Sequence, residues 1–273
     1  MKISATSALV LNWTDPNLWQ SESASEYFSN LDLSEGDSIL QWFSDEENYM
    51  HTQAVTGRKY FMKQKIEAFL NKQQNKGGGQ VVILAAGIAP LSIEIASLFP
   101  TSIVFDVDKF LMKEKDELVN GQFKNIRFIE CDITNVEELN RQLINSGFDP
   151  EKPAIFIMEG IIYYIRTSEL ENLLRYFNSN HFELACDFCL KPELVNEKTR
   201  IIVTDVFRKI KKQVHLDFVS QYSVEEITHL MKQSGFNKIE FTNMQQIQQE
   251  RKGEKTPFEF ENSSWLHTIH ATV

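Results

Sequence analysis

The stretch that decides the fold is Gln80-Val81-Val82-Ile83-Leu84-Ala85-Ala86-Gly87-Ile88-Ala89-Pro90-Leu91. An apolar run typical of a buried parallel strand stops at a turn of small residues, and a helical pattern follows at once. A second apolar run, residues 102–105, ends in Asp106-Val107-Asp108. Strand, small-residue turn, helix and strand with an acidic end form the front half of a nucleotide-binding βαβ unit. We therefore expect a ligand containing a nucleoside near the middle of the chain.

From this first strand onward, strand and helix patterns alternate, which predicts an α/β fold with a Rossmann-like, doubly wound sheet. Five strands are expected at residues 80–85, 102–107, 125–130, 153–158 and 182–188. Ser223 and Glu226 form a capping-box pattern and Gly235 closes the helix that follows. Two more strands, at 236–242 and 264–272, complete a predicted sheet of about seven strands whose last strand is antiparallel.

Residues 1–76 differ from the rest, because they carry three of the four tryptophans and show no strand alternation. Short helices fit better, so the sequence predicts a helical N-terminal lid over residues 1–76 and a cofactor-binding domain over residues 77–273. We interpret Gly77-Gly78-Gly79 as a flexible linker, since no Gly-Lys-Ser/Thr follows and a phosphate-binding P-loop is excluded. The polar, glutamine-rich residues 243–256 are expected to form an exposed loop.

Composition excludes several classes of protein. A net charge of −10 over 273 residues argues against a nucleic-acid-binding surface. No apolar stretch approaches 18 residues, the N-terminus lacks a signal-peptide pattern, and three cysteines suit a reducing compartment. The pattern Cys186-Asp187-Phe188-Cys189 lies in an apolar run without further metal ligands at suitable spacing. The sequence thus predicts a cytoplasmic protein without membrane, nucleic-acid or metal binding.

Ligands of open α/β sheets bind beyond the carboxyl ends of the strands, and four consecutive strand ends carry small or acidic residues. A dinucleotide would call for G-x-G-x-x-G at the first turn, whereas Gly87 is alone there between Ala85 and Ala89. S-adenosylmethionine needs one close backbone approach, a carboxylate for the ribose, a polar group for the adenine and charged groups for the methionine end. S-adenosylmethionine therefore fits the strand ends better than a dinucleotide.

The same segments resemble the leucine carboxyl methyltransferase family, a branch of the class I S-adenosylmethionine-dependent methyltransferases. The family turn Val-Val-Leu-Gly-Ala-Gly-Phe-Asp-Thr corresponds to residues 82–90, and the family Glu-x-Asp corresponds to residues 106–108. The family Glu-Gly-x-x-x-Tyr-Leu corresponds to residues 159–165, and an arginine before an aromatic-rich helix corresponds to Arg58. The chain departs from the family where Ala85 replaces a glycine and Ala89 an acidic residue.

The resemblance implies roles for nine residues. Seven would contact the cofactor: Arg58 (methionine carboxylate), Gly87 (backbone room), Asp106 and Asp108 (ribose hydroxyls), Asp132 (adenine amino group), Ile133 (adenine ring) and Glu159 (methionine ammonium). Tyr163 and Tyr164 would lie where the acceptor pocket opens, and they are the candidate catalytic residues.

The predicted reaction is O-methylation of a carboxylate on a small molecule or a carrier-linked metabolite. A carboxylate is ionised at neutral pH and needs no general base, and the sequence offers none beyond the isolated His215 and His229. Two alternatives remain open. The site could cyclise S-adenosylmethionine to a small-ring amino acid and release methylthioadenosine, or the chain could be a non-catalytic binding protein on a degenerate fold.

Overall fold

The computed structural model describes the backbone of residues 3–214, 217–252 and 257–273. Seven of its strands form one sheet in the order β3-β2-β1-β4-β5-β7-β6. All neighbours pair in parallel except β7, which is antiparallel to both β5 and β6. The predicted α/β class and the antiparallel last strand are confirmed. The strands are β1 (Gln80–Leu84), β2 (Ile103–Asp108), β3 (Ile126–Glu130), β4 (Ala154–Met158), β5 (Phe182–Cys189), β6 (Lys238–Asn243) and β7 (Leu266–Thr272).

Helices precede the sheet and connect its strands. The longest, α4, begins with a capping box between Ser44 and Glu47 and contacts β4, β5 and β7. His215, one of the two isolated histidines, lies outside the described residues. The helices are α1 (Ala5–Asn12), α2 (Glu22–Ser29), α3 (Ser34–Leu40), α4 (Asp45–Gln73), α5 (Leu91–Leu98), α6 (Met112–Val119), α7 (Val136–Asn145), α8 (Thr167–Tyr176), α9 (Glu197–Val214), α10 (Val224–Gln233) and α11 (Met244–Lys252).

The central strands β1 and β4 are buried along their whole length, as their uninterrupted apolar sequences predict for strands covered on both faces. Leu84, the last residue of β1, pairs with Val107 of β2 and with Met158 of β4. Because all three strands run in the same direction, the residues that follow them lie at one edge of the sheet. Ala85, Asp108 and Glu159 are therefore neighbours in space.

The prediction of a flexible linker at residues 77–79 is wrong. A Cβ at Gly78 would lie 2.3 Å from the carbonyl oxygen of Thr101, and the carbonyl of Gly79 accepts a hydrogen bond from the N–H of Ile103. These glycines form a close backbone contact between the end of α4 and the start of β2. Glycine is needed there for space and for the left-handed φ of +89° at Gly78.

The prediction of an exposed loop at residues 243–256 is also wrong for most of its length, because α11 occupies Met244–Lys252. Met244 and Ile247 are buried, and the buried Gln248 side chain donates to the carbonyl oxygen of Gln53 in α4. Spacings of three and four residues place these side chains on one helix face. The sequence did not indicate this helix because only two apolar residues, Met244 and Ile247, mark its buried face among glutamines and charged residues.

The turn after β1 contains a strained residue, Ala85, whose φ is +53°. A left-handed backbone costs an L-residue about 1–2 kcal/mol, and glycine escapes that cost but loses more entropy on folding. We expect Ala85→Gly to raise the free energy of unfolding by about 1 kcal/mol in denaturant titrations.

Ala68 provides the matched control, because it is exposed in the regular helix α4. The same substitution there, Ala68→Gly, should lower the free energy of unfolding by about 1 kcal/mol. Equal destabilisation by both changes would show that Ala85 carries no strain.

Candidate functional site

A cavity of about 360 Å³ lies at the carboxyl ends of β1, β2 and β4. The turn after β1 lines the cavity, together with Asp106 and Asp108 at the end of β2 and residues 159–161 after β4. Helix α1 covers another side with Thr6, Ser7, Val10 and Leu11, and α9 adds Ile210. The cavity therefore stands where open α/β sheets bind ligands.

Asp108 and Gly87 meet at one end of the cavity. The N–H of Gly87 donates to Oδ2 of Asp108 over 2.8 Å, and the N–H of Phe110 donates to Oδ1 over 3.0 Å. Burial raises the pKa of Asp108, although these two N–H groups oppose the shift. Each carboxylate oxygen keeps a free lone pair for a further donor.

Asp106 is fully buried beneath this end of the cavity, and its charge is balanced from within the protein. Its Oδ2 accepts a hydrogen bond from Ser92 and an ion pair of 2.7 Å from Nζ of Lys115, which is also fully buried. Oδ1 has no hydrogen-bond partner among the described residues. The structure thus brings Asp106 to the site, with half of its carboxylate already engaged.

Arg58, Lys59 and Glu159 meet at the opposite end. Oε1 of Glu159 lies 3.2 Å from Nε of Arg58 and 2.7 Å from Nζ of Lys59. Burial raises the pKa of Glu159, but the two cations outweigh burial and hold that pKa below its usual value. Burial lowers the pKa of Lys59, with Glu159 opposing the shift. This end of the cavity therefore presents charges of both signs.

Behind this cluster, Arg58 is fixed by two further buried groups. Its Nη1 donates to the hydroxyl of Tyr163 over 2.8 Å and lies 3.9 Å from Oδ2 of Asp187. Asp187 also accepts a hydrogen bond of 2.6 Å from the N–H of Gly160. A Cβ at Gly160 would lie 2.8 Å from the Arg58 guanidinium, so glycine at this position leaves room for the arginine.

The two candidate tyrosines occupy different places. Tyr164 lines the cavity, while Tyr163 is buried behind it with its hydroxyl on Arg58. The two rings pack edge to face at 4.6 Å between centroids. Burial raises the pKa of both phenols, so both hydroxyls are neutral at physiological pH and neither is a ready base.

Asp132 and Ile133 follow β3 but do not line the cavity. Oδ1 of Asp132 accepts from the N–H and hydroxyl of Thr134, and Oδ2 pairs with the exposed Lys109 at 2.8 Å. The role of these two residues at an adenine ring stays a prediction.

Sequence reasoning missed Lys59, Lys115 and Asp187. Lys59 directly follows Arg58 in α4. Because neighbouring helix positions point only about 100° apart, both side chains can reach the same carboxylate, Glu159. Asp187 lies inside the C-x-x-C pattern. A single acidic residue in an otherwise apolar strand was the sequence feature that could have indicated a buried, paired charge. Cys186 and Cys189 are buried free thiols.

Asp187 should make stability depend on pH. Burial raises its pKa to about 6, with Arg58 and the Gly160 N–H opposing the shift. Between pH 7 and 5 the folded state therefore takes up a proton while the unfolded state stays ionised. When the pH is lowered from 7 to 5, the free energy of unfolding of the wild type should rise by about 1 kcal/mol relative to that of Asp187→Asn in denaturant titrations.

The asparagine keeps an oxygen for the Gly160 N–H, and Asp116→Asn, at an exposed position on α6, is the control. Its stability should follow that of the wild type in parallel over this range. Parallel curves for Asp187→Asn as well would contradict the raised pKa.

Within the described residues, no helix is long and apolar enough to cross a membrane, and no cluster of three or more His, Cys, Asp or Glu side chains could hold a metal ion.

Known proteins resemble this chain in sequence and in fold. A protein of Mycolicibacterium paratuberculosis named "Putative S-adenosyl-L-methionine-dependent methyltransferase" is 30% identical over 146 residues, 52% of this chain and 46% of that protein. One of the same name from Mycobacteroides abscessus is 26% identical over 110 residues, 39% of this chain and 36% of that protein. The match thus spans less than half the length of either relative.

Two solved structures share the fold over nearly the whole chain. A DUF574 family protein from Streptomyces avermitilis has a TM-score of 0.66 at 12% identity, covering 98% of this chain and 97% of that one. A protein titled "putative methyltransferase" from Thermobifida fusca has a TM-score of 0.65 at 13% identity, covering 95% and 94%. At such identities the likeness concerns the fold alone.

The sequence profile of the family described as Leucine carboxyl methyltransferase matches residues 15–178. That match covers more than half of the chain and includes Arg58 in α4 and the ends of β1, β2 and β4 at the cavity. The family predicted from the sequence is confirmed: the chain belongs to the leucine carboxyl methyltransferase family.

Proposed function

We propose that this protein is an S-adenosylmethionine-dependent methyltransferase that methylates a carboxylate of a small molecule or a carrier-linked metabolite. The observation that carries the proposal is the strand-end cavity, with a hydrogen-bonding carboxylate, Asp108, at one end. At its other end stands the mixed-charge cluster of Arg58, Lys59 and Glu159. Membership of the family supports the same activity.

The nucleoside end of the cavity fits a ribose. Asp108 accepts two backbone N–H groups and retains lone pairs for the two ribose hydroxyls. Gly87 has a φ of +54°, and a Cβ built there would meet no protein atom within 4 Å. Because Gly87 lines the cavity, that open space is available to a ligand that approaches the backbone closely.

The opposite end fits an amino acid. A methionine moiety carries a carboxylate and an ammonium, so its site needs a cation and an anion side by side. Arg58 and Lys59 would receive the carboxylate, and Glu159 would receive the ammonium through charge-assisted hydrogen bonds. Tyr163 and Asp187 contact the Arg58 side chain and would hold it in the orientation for this contact.

Bound S-adenosylmethionine would supply an activated methyl group on a sulfonium. The residues of the chain would then only need to position the acceptor and to exclude water. A carboxylate acceptor fits this arrangement because no proton has to be removed from it. Val10, Leu11, Ile161 and Ile210 provide apolar walls for that purpose. Tyr164, neutral at physiological pH, would serve as a hydrogen-bond donor to the acceptor.

Helix α1 covers the cavity from outside the sheet, and we extend the proposal to its segment. Residues 1–76 would act as a lid that encloses the acceptor and would lend Arg58 and Lys59 of α4 to the methionine end, while residues 77–273 would supply the rest of the cofactor site. The contact of Thr6, Ser7, Val10 and Leu11 with the cavity supports this division of labour.

Removing the Asp108 carboxylate should weaken cofactor binding. Hydrogen bonds to a charged group contribute about 1.5–3 kcal/mol, so Asp108→Ala should raise the Kd for S-adenosylmethionine by about ten- to a hundredfold in calorimetric titration. The control Asp116→Ala removes an exposed aspartate from α6 and should bind as the wild type does. Unchanged affinity in Asp108→Ala would refute the ribose assignment.

The products distinguish the possible activities. Incubated with S-adenosylmethionine and a panel of carboxylic acids, the protein should form S-adenosylhomocysteine and a methyl ester that releases methanol in mild base. Methylthioadenosine formed without an acceptor would replace the proposal with cyclisation of the cofactor. An absence of cofactor binding in the wild type would support a non-catalytic protein.

A further inference from the structure

The strained turn after β1 is held by side chains from two other helices. Nζ of Lys115 in α6 donates to the carbonyl oxygens of Gly87, over 3.1 Å, and Ala89, over 2.7 Å. The buried hydroxyl of Tyr27 in α2 donates to the carbonyl oxygen of Ile88 over 3.1 Å. Three consecutive carbonyls of the turn are thus bound from outside it.

Lys115 has a fixed geometry because its ammonium is fully buried. A buried ammonium is tolerated only when its donors are satisfied, and its three donors match three acceptors: Gly87, Ala89 and Asp106. Asp106 stands in β2, two residues before Asp108. Lys115 therefore ties the turn after β1 to the strand that carries Asp108.

The contacts of Lys115 affect the hydrogen bond between the N–H of Gly87 and Asp108. Ala85 is left-handed at φ +53°, so the turn begins in a conformation that an L-residue abandons when nothing holds it. If the turn relaxed, the N–H of Gly87 would leave Asp108, and the carboxylate would lose one of the two backbone bonds that orient it.

We propose that Lys115, assisted by Tyr27, is a positioning residue for the cofactor. It holds the strained turn in the conformation that presents Gly87 and Asp108 to the ribose. Neither residue lines the cavity, so both act through the turn. The part that concerns the cofactor rests on the proposed function, whereas the effect on the turn does not.

The first test needs no cofactor. In native-state hydrogen exchange, the Gly87 amide should exchange at least tenfold faster in Lys115→Met than in the wild type. Lys63→Met is the matched control, because it breaks another buried pair, Lys63 with Glu94 at 2.6 Å, without a bond to the turn. That control should lower the unfolding midpoint and leave exchange at Gly87 unchanged relative to its global stability.

The second test uses S-adenosylhomocysteine in calorimetric titration. Lys115→Met should weaken binding at least tenfold, and adding Ala85→Gly should restore part of the loss, because glycine adopts the left-handed turn unaided. Lys63→Met should stay within about twofold of the wild type, and Ala85→Gly alone is the reference against which the double variant is compared in a double-mutant cycle.

Each outcome separates the claims. No binding by the wild type would refute the proposed function, and hydrogen exchange would still test the turn. Normal exchange and binding in Lys115→Met, or a loss that Ala85→Gly does not relieve, would overturn the inference. If Lys115→Met fails to fold, Tyr27→Phe takes its place, because it removes only the hydroxyl that donates to the Ile88 carbonyl oxygen. Tyr27→Phe should speed hydrogen exchange at Gly87 several-fold. Unchanged exchange in that variant would overturn the inference.

Discussion

The parallel pairing of β1 with β2 on one side and β4 on the other is the constraint on which the site depends. Leu84 pairs with both Val107 and Met158, so three strands end together and the residues after them share one edge. A shift of one residue in either pairing would turn the acidic ends to the opposite face of the sheet. The cavity and its carboxylates are consequences of that register, and helix α4 adds the cations Arg58 and Lys59.

Buried charge is the second determinant, because an ionised group in a protein interior must be compensated. The end of the cavity beside β4 gathers two cations and two carboxylates: Arg58, Lys59, Glu159 and Asp187. The formal charges of this cluster sum to zero when all four groups are ionised, and the cluster offers both signs to a zwitterion. Asp187 has the weakest compensation, which is why burial raises its pKa to about 6 while the pKa of Glu159 falls.

Sequence patterns predicted what depends on local periodicity and on strand ends. The seven strands, the antiparallel last strand and the neighbourhood of Gly87, Asp108 and Glu159 follow from such patterns, whereas Arg58 was expected there from the family resemblance. They could not predict contacts between distant segments. Three contacts depend on packing that one amino-acid sequence does not reveal: Gly78 with Thr101, Gln248 with α4, and Lys115 with the turn after β1.

The central claim is that the two ends of the cavity bind the two ends of S-adenosylmethionine, and a crystal structure of the protein with S-adenosylhomocysteine tests it most directly. The account predicts the ribose hydroxyls within hydrogen-bond distance of Asp108. It also predicts the amino-acid end between the Arg58–Lys59 pair and Glu159. A ligand bound elsewhere, or bound in the reverse orientation, would contradict it.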